Sequence, residues 1–135
     1  MPLIETMNTA KSLLGMVVAI GMGDAVWLTL RQKYHERLFQ GIQRSPLEVR
    51  WIPAIFVYVI LITSVYLGAV SLATSVENAA FRGAVVGFLM YAFYDLTNYA
   101  TLTQYTLEMV LTDALWGTVV CTIAATVGYY FIKKE

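Results

Sequence analysis

Apolar residues gather into four long stretches along this chain, about Leu13 to Leu30, Trp51 to Leu72, Gly83 to Leu102 and Met109 to Ile132. Polar positions inside each are few and isolated. A helix that crosses a bilayer needs roughly 17–25 mostly apolar residues, so the pattern predicts four spanning helices. Between them lie a polar stretch from Arg31 to Arg50, a short turn around Ala73 to Arg82, and a very short link near Thr103 to Glu108. Short links make successive helices antiparallel neighbours. The expected fold is all-α: an integral membrane four-helix bundle, with residues 1–135 forming one transmembrane domain. Pro53 falls in a first helical turn, where its missing N–H does no harm. Trp51, Tyr129 and Tyr130 stand at segment ends, as an interfacial aromatic belt requires. The first apolar run contains Asp24 and no A-x-A-like site follows it, so it reads as an anchor and not as a signal peptide.

Composition narrows the class. Of 135 residues 59% are apolar and only 13% are charged, where a soluble domain keeps about a quarter charged to cover its surface. Mean hydropathy is +0.64, and the chain is expected to face lipid. Net charge is zero and no basic block exists, which removes the electrostatic footprint of a nucleic-acid binder. The single cysteine, Cys121, has no intrachain disulfide partner and reads as a small residue in a helix contact. Lipid supplies little hydrophobic force between helices, so close approach depends on small residues at four-residue spacing. These recur on every span: Gly15, Ala19 and Gly23; Ser64 and Gly68; Gly83 and Gly87; Gly117 and Cys121.

Basic residues bias orientation only weakly. Lys11, Arg82, Lys133 and Lys134 on the side of the termini stand against Arg31, Lys33, Arg37, Arg44 and Arg50 in the first connection. The balance favours a cytoplasmic first connection.

Three acids break the apolar pattern. "GDAVWL" carries Asp24, "YDLTN" carries Asp95 and "TDALWG" carries Asp113. An Asp at the centre of a spanning helix costs about 2.5–3.5 kcal/mol to insert, and each Leu, Ile, Val or Phe returns only about 0.3–0.6 kcal/mol. Asp24 lies six residues before the end of the first span, Asp95 seven before the end of the third, and Asp113 near the start of the fourth. In an antiparallel bundle all three then sit at similar depth, roughly 7–11 Å inside the face that carries the first connection. Residues three and four apart share a helix face. Asp24 shares one with Trp27, Asp95 with Tyr91 and Asn98, and Asp113 with Trp116, while Tyr94 and Thr97 add hydroxyls. The expected site is a pocket with Asp24, Asp95 and Asp113 as catalytic groups and Trp27, Tyr91, Tyr94, Thr97, Asn98 and Trp116 as ligand-binding residues. It opens towards Arg31, Lys33, Tyr34 and His35. Intramembrane ionisable groups that face one another mark a functional site by default. The competing reading is interhelical glue, worth on average about 0.6 kcal/mol per contact. His35, alone in a polar connection, reads as a solvated loop residue.

"GDAVWL", "TDALWG" and above all "RGAVVGFLMYAFYDLTNYATL" resemble those of a family of small bacterial and viral predicted membrane proteins, classed as a domain of unknown function. The resemblance covers essentially the whole chain. It implies four spans and an integral, multi-pass location, with the bacterial inner membrane as the expected one, and it implies no mechanism.

Absent chemistry removes several function classes. No lysine lies inside a span, so there is no retinal Schiff base. One His and one Cys cannot build a zinc site. There is no nucleophile elbow, and "GMGD" lacks the βαβ setting of a dinucleotide site. No metal and no cofactor is expected, since three Asp fall short of the oxygen shell of a hard divalent cation. Three readings remain: a membrane enzyme doing proton transfer on a lipid-soluble substrate, a proton-coupled transporter or cation path, and an accessory subunit of a membrane complex. The expected partners are membrane lipids, a hydrophobic small molecule and a homo-oligomer or larger membrane complex, with no nucleic acid.

Overall fold

The computed structural model describes residues 2–132. Its elements are α1 (Pro2–Gln43), α2 (Trp51–Val65, continued by a π-helical turn at Tyr66–Val70), α3 (Val76–Thr101) and α4 (Leu107–Ile132). No strand occurs among the described residues. All four helices are long and apolar enough to cross a membrane, counting α2 with its π turn. The fold is a four-helix membrane bundle.

Local chemistry sets the helix ends. Ser75 caps α3 by accepting a bond from the Asn78 N–H at 3.0 Å, and Asn78 Oδ1 accepts from the Thr74 N–H at 3.2 Å. This reciprocal pairing satisfies two N–H groups that the helix cannot satisfy itself. At the start of α4 the Thr106 hydroxyl accepts from the Met109 N–H at 3.1 Å. Arg44 ends α1 in the left-handed region, φ 59°, and its N–H still reaches Gln40 O at 2.7 Å.

α1 is much longer than the apolar run it contains. Its 42 residues span about 63 Å at 1.5 Å per residue, roughly twice the hydrocarbon core of a bilayer. The stretch 31–43 is therefore helix and not an irregular connection. Eight of its thirteen residues are Arg, Gln, Lys, Glu or Leu and none is proline, which favours continued helix. One stripe of this extension, Tyr34, Leu38, Phe39 and Ile42, packs on Tyr105, Met109, Val110 and Leu102. Gln32, Lys33, Glu36, Arg37 and Gln40 on the other side are exposed.

The main core is Met16, Ile20, Val65, Val70, Val120, Cys121, Ala124 and Ala125, with Leu61 and Ala69. Its tightest seam joins α3 to α4. A Cβ on Gly83 would lie 2.5 Å from both Ala125 Cβ and Cys121 O, a Cβ on Gly87 would collide with Gly117 O and Cys121 Cβ, and one on Gly117 with the Tyr91 ring. The two backbones touch because side chains are missing at the crossing. α1 joins this pair through Gly15, which faces Phe131 and Val127, and through buried Ser12, whose hydroxyl donates to Gly128 O at 2.8 Å. α2 is held differently. Its π-helical end packs in, with Val86 Cγ2 3.0 Å from a Cβ on Gly68. Its first ten residues stand off: Ile52, Ile55, Phe56, Val57, Val59 and Ile60 are all more than half exposed. Consecutive positions cover every side of a helix, so little protein surrounds this half.

Gly87→Ala is expected to lower stability by about 1–3 kcal/mol, the usual cost of overpacking. Gly21→Ala, where an added Cβ meets nothing within 4 Å, is expected to leave it unchanged. Thermal unfolding of both variants in one detergent checks the pair.

Candidate functional site

Asp24 sits one residue after Gly23, whose missing side chain lets α1 approach Trp116 and Val120 of α4 closely. Both carboxyl oxygens are engaged. The Tyr58 hydroxyl donates to Oδ2 at 2.6 Å, and Trp116 Nε1 donates to Oδ1 at 2.8 Å. Asp24 thereby ties α1 to α2 and α4. The Trp116 ring in turn stacks on Trp27, with centroids 5.1 Å apart and planes 2° from parallel. Tyr91 fills the space left by Gly117, and its hydroxyl lies close enough to Asp24, Asp113, Tyr58 and Cys121 to interact with each.

Asp95 is fully buried. The Tyr105 hydroxyl, from the link between α3 and α4, donates to its Oδ1, with the Asn98 side chain close by. Burial and then the Asp95 carboxyl push the Tyr105 phenol well above the usual tyrosine range, so it stays a donor. No tyrosine, amide or cation reaches Asp95 Oδ2. The Asp113 carboxyl of α4, mostly buried, lies within hydrogen-bonding reach of Asp95 and also senses Asp24. Ionised carboxyls only accept hydrogen bonds, so a bond between the two would require a proton held between them.

A stripe of α1 closes the layer towards the polar end. Arg31 packs its guanidinium 4.4 Å from the Tyr34 ring and 5.8 Å from Trp27, and reaches Glu108 and Thr112, each at 3.4 Å. The Tyr34 hydroxyl bonds the Thr106 hydroxyl that caps α4. One turn on from Arg31, His35 meets Trp27 and Tyr34 edge-on, at 6.5 and 6.3 Å. The reading of His35 as a solvated loop residue is corrected by this: it stands on a helix, half-buried, with Nε2 out of solvent. Burial lowers its proton affinity below that of an ordinary histidine, Arg31 lowers it further, and Asp95 acts in the opposite direction. Four buried polar atoms in this region have no hydrogen-bond partner: Trp27 Nε1, Arg31 Nε, His35 Nε2 and Asp95 Oδ2. Such atoms call for an explanation in any folded chain.

The structure thus brings Asp24, Asp95, Asp113, Trp27, Tyr91, Asn98 and Trp116 into one layer. Tyr94 and Thr97 lie outside it. Tyr94 is 53% exposed, and the Thr97 hydroxyl is spent on its own helix at Phe93 O, 2.7 Å away. Both follow from α3 being a regular helix, which turns positions one before and two after Asp95 to other faces. Sequence reasoning did not find Tyr58 and Tyr105, the two phenols that hold Asp24 and Asp95. Tyr58 carried no signal beyond its depth in the second span. For Tyr105, its place in the link beyond "YDLTN" was a usable one. Among the described residues no group of three or more His, Cys, Asp or Glu side chains is placed to hold a metal ion.

Residues 9–130 match the family described as "Predicted membrane protein (DUF2177)". No curated protein and no solved structure gives a significant match.

Two substitutions test the geometry of the layer. Trp27→Leu, which removes the ring stacked on Trp116, is expected to cost about 0.5–1.5 kcal/mol in thermal unfolding beyond the area lost, with the fold retained. Tyr58→Phe is expected to cost about 0.6–1.7 kcal/mol in thermal unfolding, the range of single interhelical hydrogen bonds in membranes. Most of that cost should vanish when the change is made in an Asp24→Ala background.

Proposed function

We propose that this chain, which belongs to that family of predicted membrane proteins, is a membrane enzyme that moves protons on a lipid-soluble substrate. The observation that carries the reading is the Asp95–Asp113 pair: two carboxyls from facing helices, within hydrogen-bonding reach, in apolar surroundings. A pair that holds one proton offers both a donor and an acceptor at a single point, which is what acid–base catalysis at carbon needs. Asp95 and Asp113 act as acid and base. Asp24, fixed by Tyr58 and Trp116, orients the substrate and adds negative potential. The face of Trp116 turned away from its stack with Trp27 stabilises positive charge developing on an isoprenoid, sterol or acyl chain. Access is lateral. The exposed first half of α2 leaves the Asp24 side of the bundle open to lipid, with the Tyr58–Asp24 bond as a polar bridge across the opening.

Transport through a single chain is disfavoured by the other half of the bundle. There α3 and α4 meet backbone to backbone at Gly83, Gly87 and Gly117. The buried polar side chains among the described residues are Asp95 and Ser12, and Ser12 is bonded to Gly128. A proton or cation entering the acidic layer finds no polar continuation through that seam.

The protein in liposomes of total bacterial lipid extract, incubated in D₂O, is expected to place deuterium on carbon in one lipid class, read by mass spectrometry. Asp95→Asn and Asp113→Asn should each lower the rate by about 100-fold or more, the usual scale of a general acid or base. If no lipid gains deuterium above the protein-free control, the enzyme reading falls. Acidification of the liposome interior under an imposed gradient would then support transport. Silence in both assays would leave the accessory-subunit reading.

A further inference from the structure

We propose that His35 is the relay through which the Asp95–Asp113 pair exchanges its proton with water. The inference rests on the proton-transfer reading of that pair and adds the route by which it is recharged.

A buried acid–base pair turns over once and then stalls unless protons can reach it from outside. On the apolar side α3 and α4 meet backbone to backbone at Gly83 and Gly87, which leaves no polar path along that seam. On the polar side Trp27, Arg31 and Tyr34 of its own helix and Asp95 of α3 surround His35, while Tyr105 and Asp113 adjoin Asp95 and Glu108 adjoins Arg31. Of these, Arg31 never gives up its proton and is occupied with Glu108 and Thr112. Tyr34 is bonded to Thr106 and Tyr105 to Asp95. Glu108 is exposed on the outer surface, with a side chain 57% accessible. His35 alone in this set is half-buried, carries a ring that can both take up and release a proton, and has a buried nitrogen with no partner. It is also near enough to Asp95 for their charges to act on each other. It stands beyond Leu30, the end of the first apolar run, so one side of the ring belongs to the polar end of the molecule. That combination, one foot in water and one unpartnered nitrogen inside, is the geometry of a proton shuttle.

The step balances simply. An imidazolium at His35 gives one proton through bridging water to the carboxylate left on the Asp95–Asp113 pair and becomes neutral imidazole. The imidazole then takes a proton from bulk water, and the reverse sequence discharges the pair. Arg31 keeps the imidazolium short-lived, because its fixed positive charge opposes a second one beside it.

The test needs no substrate. In the protein reconstituted in liposomes, the C=O stretch of the shared carboxyl, assigned by its loss in Asp95→Asn and Asp113→Asn, shifts when deuterium replaces the proton. Stopped-flow infrared spectroscopy after mixing with D₂O times that shift. His35→Ala and His35→Gln, with unfolding temperatures near that of the parent, should both slow exchange by about tenfold or more. Free imidazole should restore the His35→Ala rate, and the parent rate should depend on pH in a way that both variants lose. Parent-like exchange in both variants overturns the relay while leaving the pair intact. Slow exchange that imidazole does not restore also overturns it, by making His35 a packing residue. Absence of any band removed by Asp95→Asn or Asp113→Asn overturns the shared proton and the relay together. Failure of lipid deuteration with a normal His35-dependent exchange would count against the enzyme reading alone.

Discussion

A carboxyl group placed among apolar helices must find donors or hold a proton, and the rest of this structure is arranged around that requirement. Leaving such a group charged and unpaired in a medium of low dielectric is too costly to survive. The chain meets the demand in two ways. Asp24 takes two donors, Tyr58 and Trp116, from two other helices. Asp95 takes the Tyr105 hydroxyl at one oxygen and has the Asp113 carboxyl beside it. Because the donors come from different segments, satisfying the acids also fixes how α1, α2, α3 and α4 sit around one layer. Polar satisfaction and tertiary arrangement are one constraint here.

The glycine seam makes that arrangement possible. Tyr91 sits one turn before Asp95 on α3 and Trp116 one turn after Asp113 on α4, and both reach the layer because Gly117 and Gly23 yield them space. The short link from 102 to 106 holds the α3 and α4 ends together and carries Tyr105 under Asp95. Thr106 then serves twice, capping α4 and binding Tyr34 of α1. The helix extension beyond Leu30 acts as a polar lid over this end. Its inner stripe supplies Arg31, Tyr34 and His35, while its apolar residues pack on Tyr105 and Met109.

The bundle is therefore uneven. Near the termini it is dense and apolar, with Met16, Val70, Cys121 and Ala125 fully buried. At the other end it is polar on the inside and loosely flanked by α2. The π turn at Tyr66–Val70 marks the change, since an extra residue in a turn redirects the helix axis and side-chain register. Dense apolar packing is concentrated in one half and the polar side chains in the other.

The apolar periodicity by itself determined four spanning helices and an all-α membrane bundle, because the bilayer permits few alternatives to a self-bonded helix. It also put Asp24, Asp95 and Asp113 at one depth, since rise per residue is constant and the links are short. The small residues at four-residue spacing announced close helix contacts for the same local reason. Only the tertiary structure decided the partners. Asp24 binds Tyr58, 34 residues away, and Trp116, 92 residues away, and no local pattern encodes such pairs, because rotation of each helix about its axis is set by packing with all the others. The continuation of α1 to Gln43 and the burial of His35 belong to the same class. A charged stretch reads equally as loop or helix until the Tyr105–Met109 surface beneath it exists for one of its faces to cover.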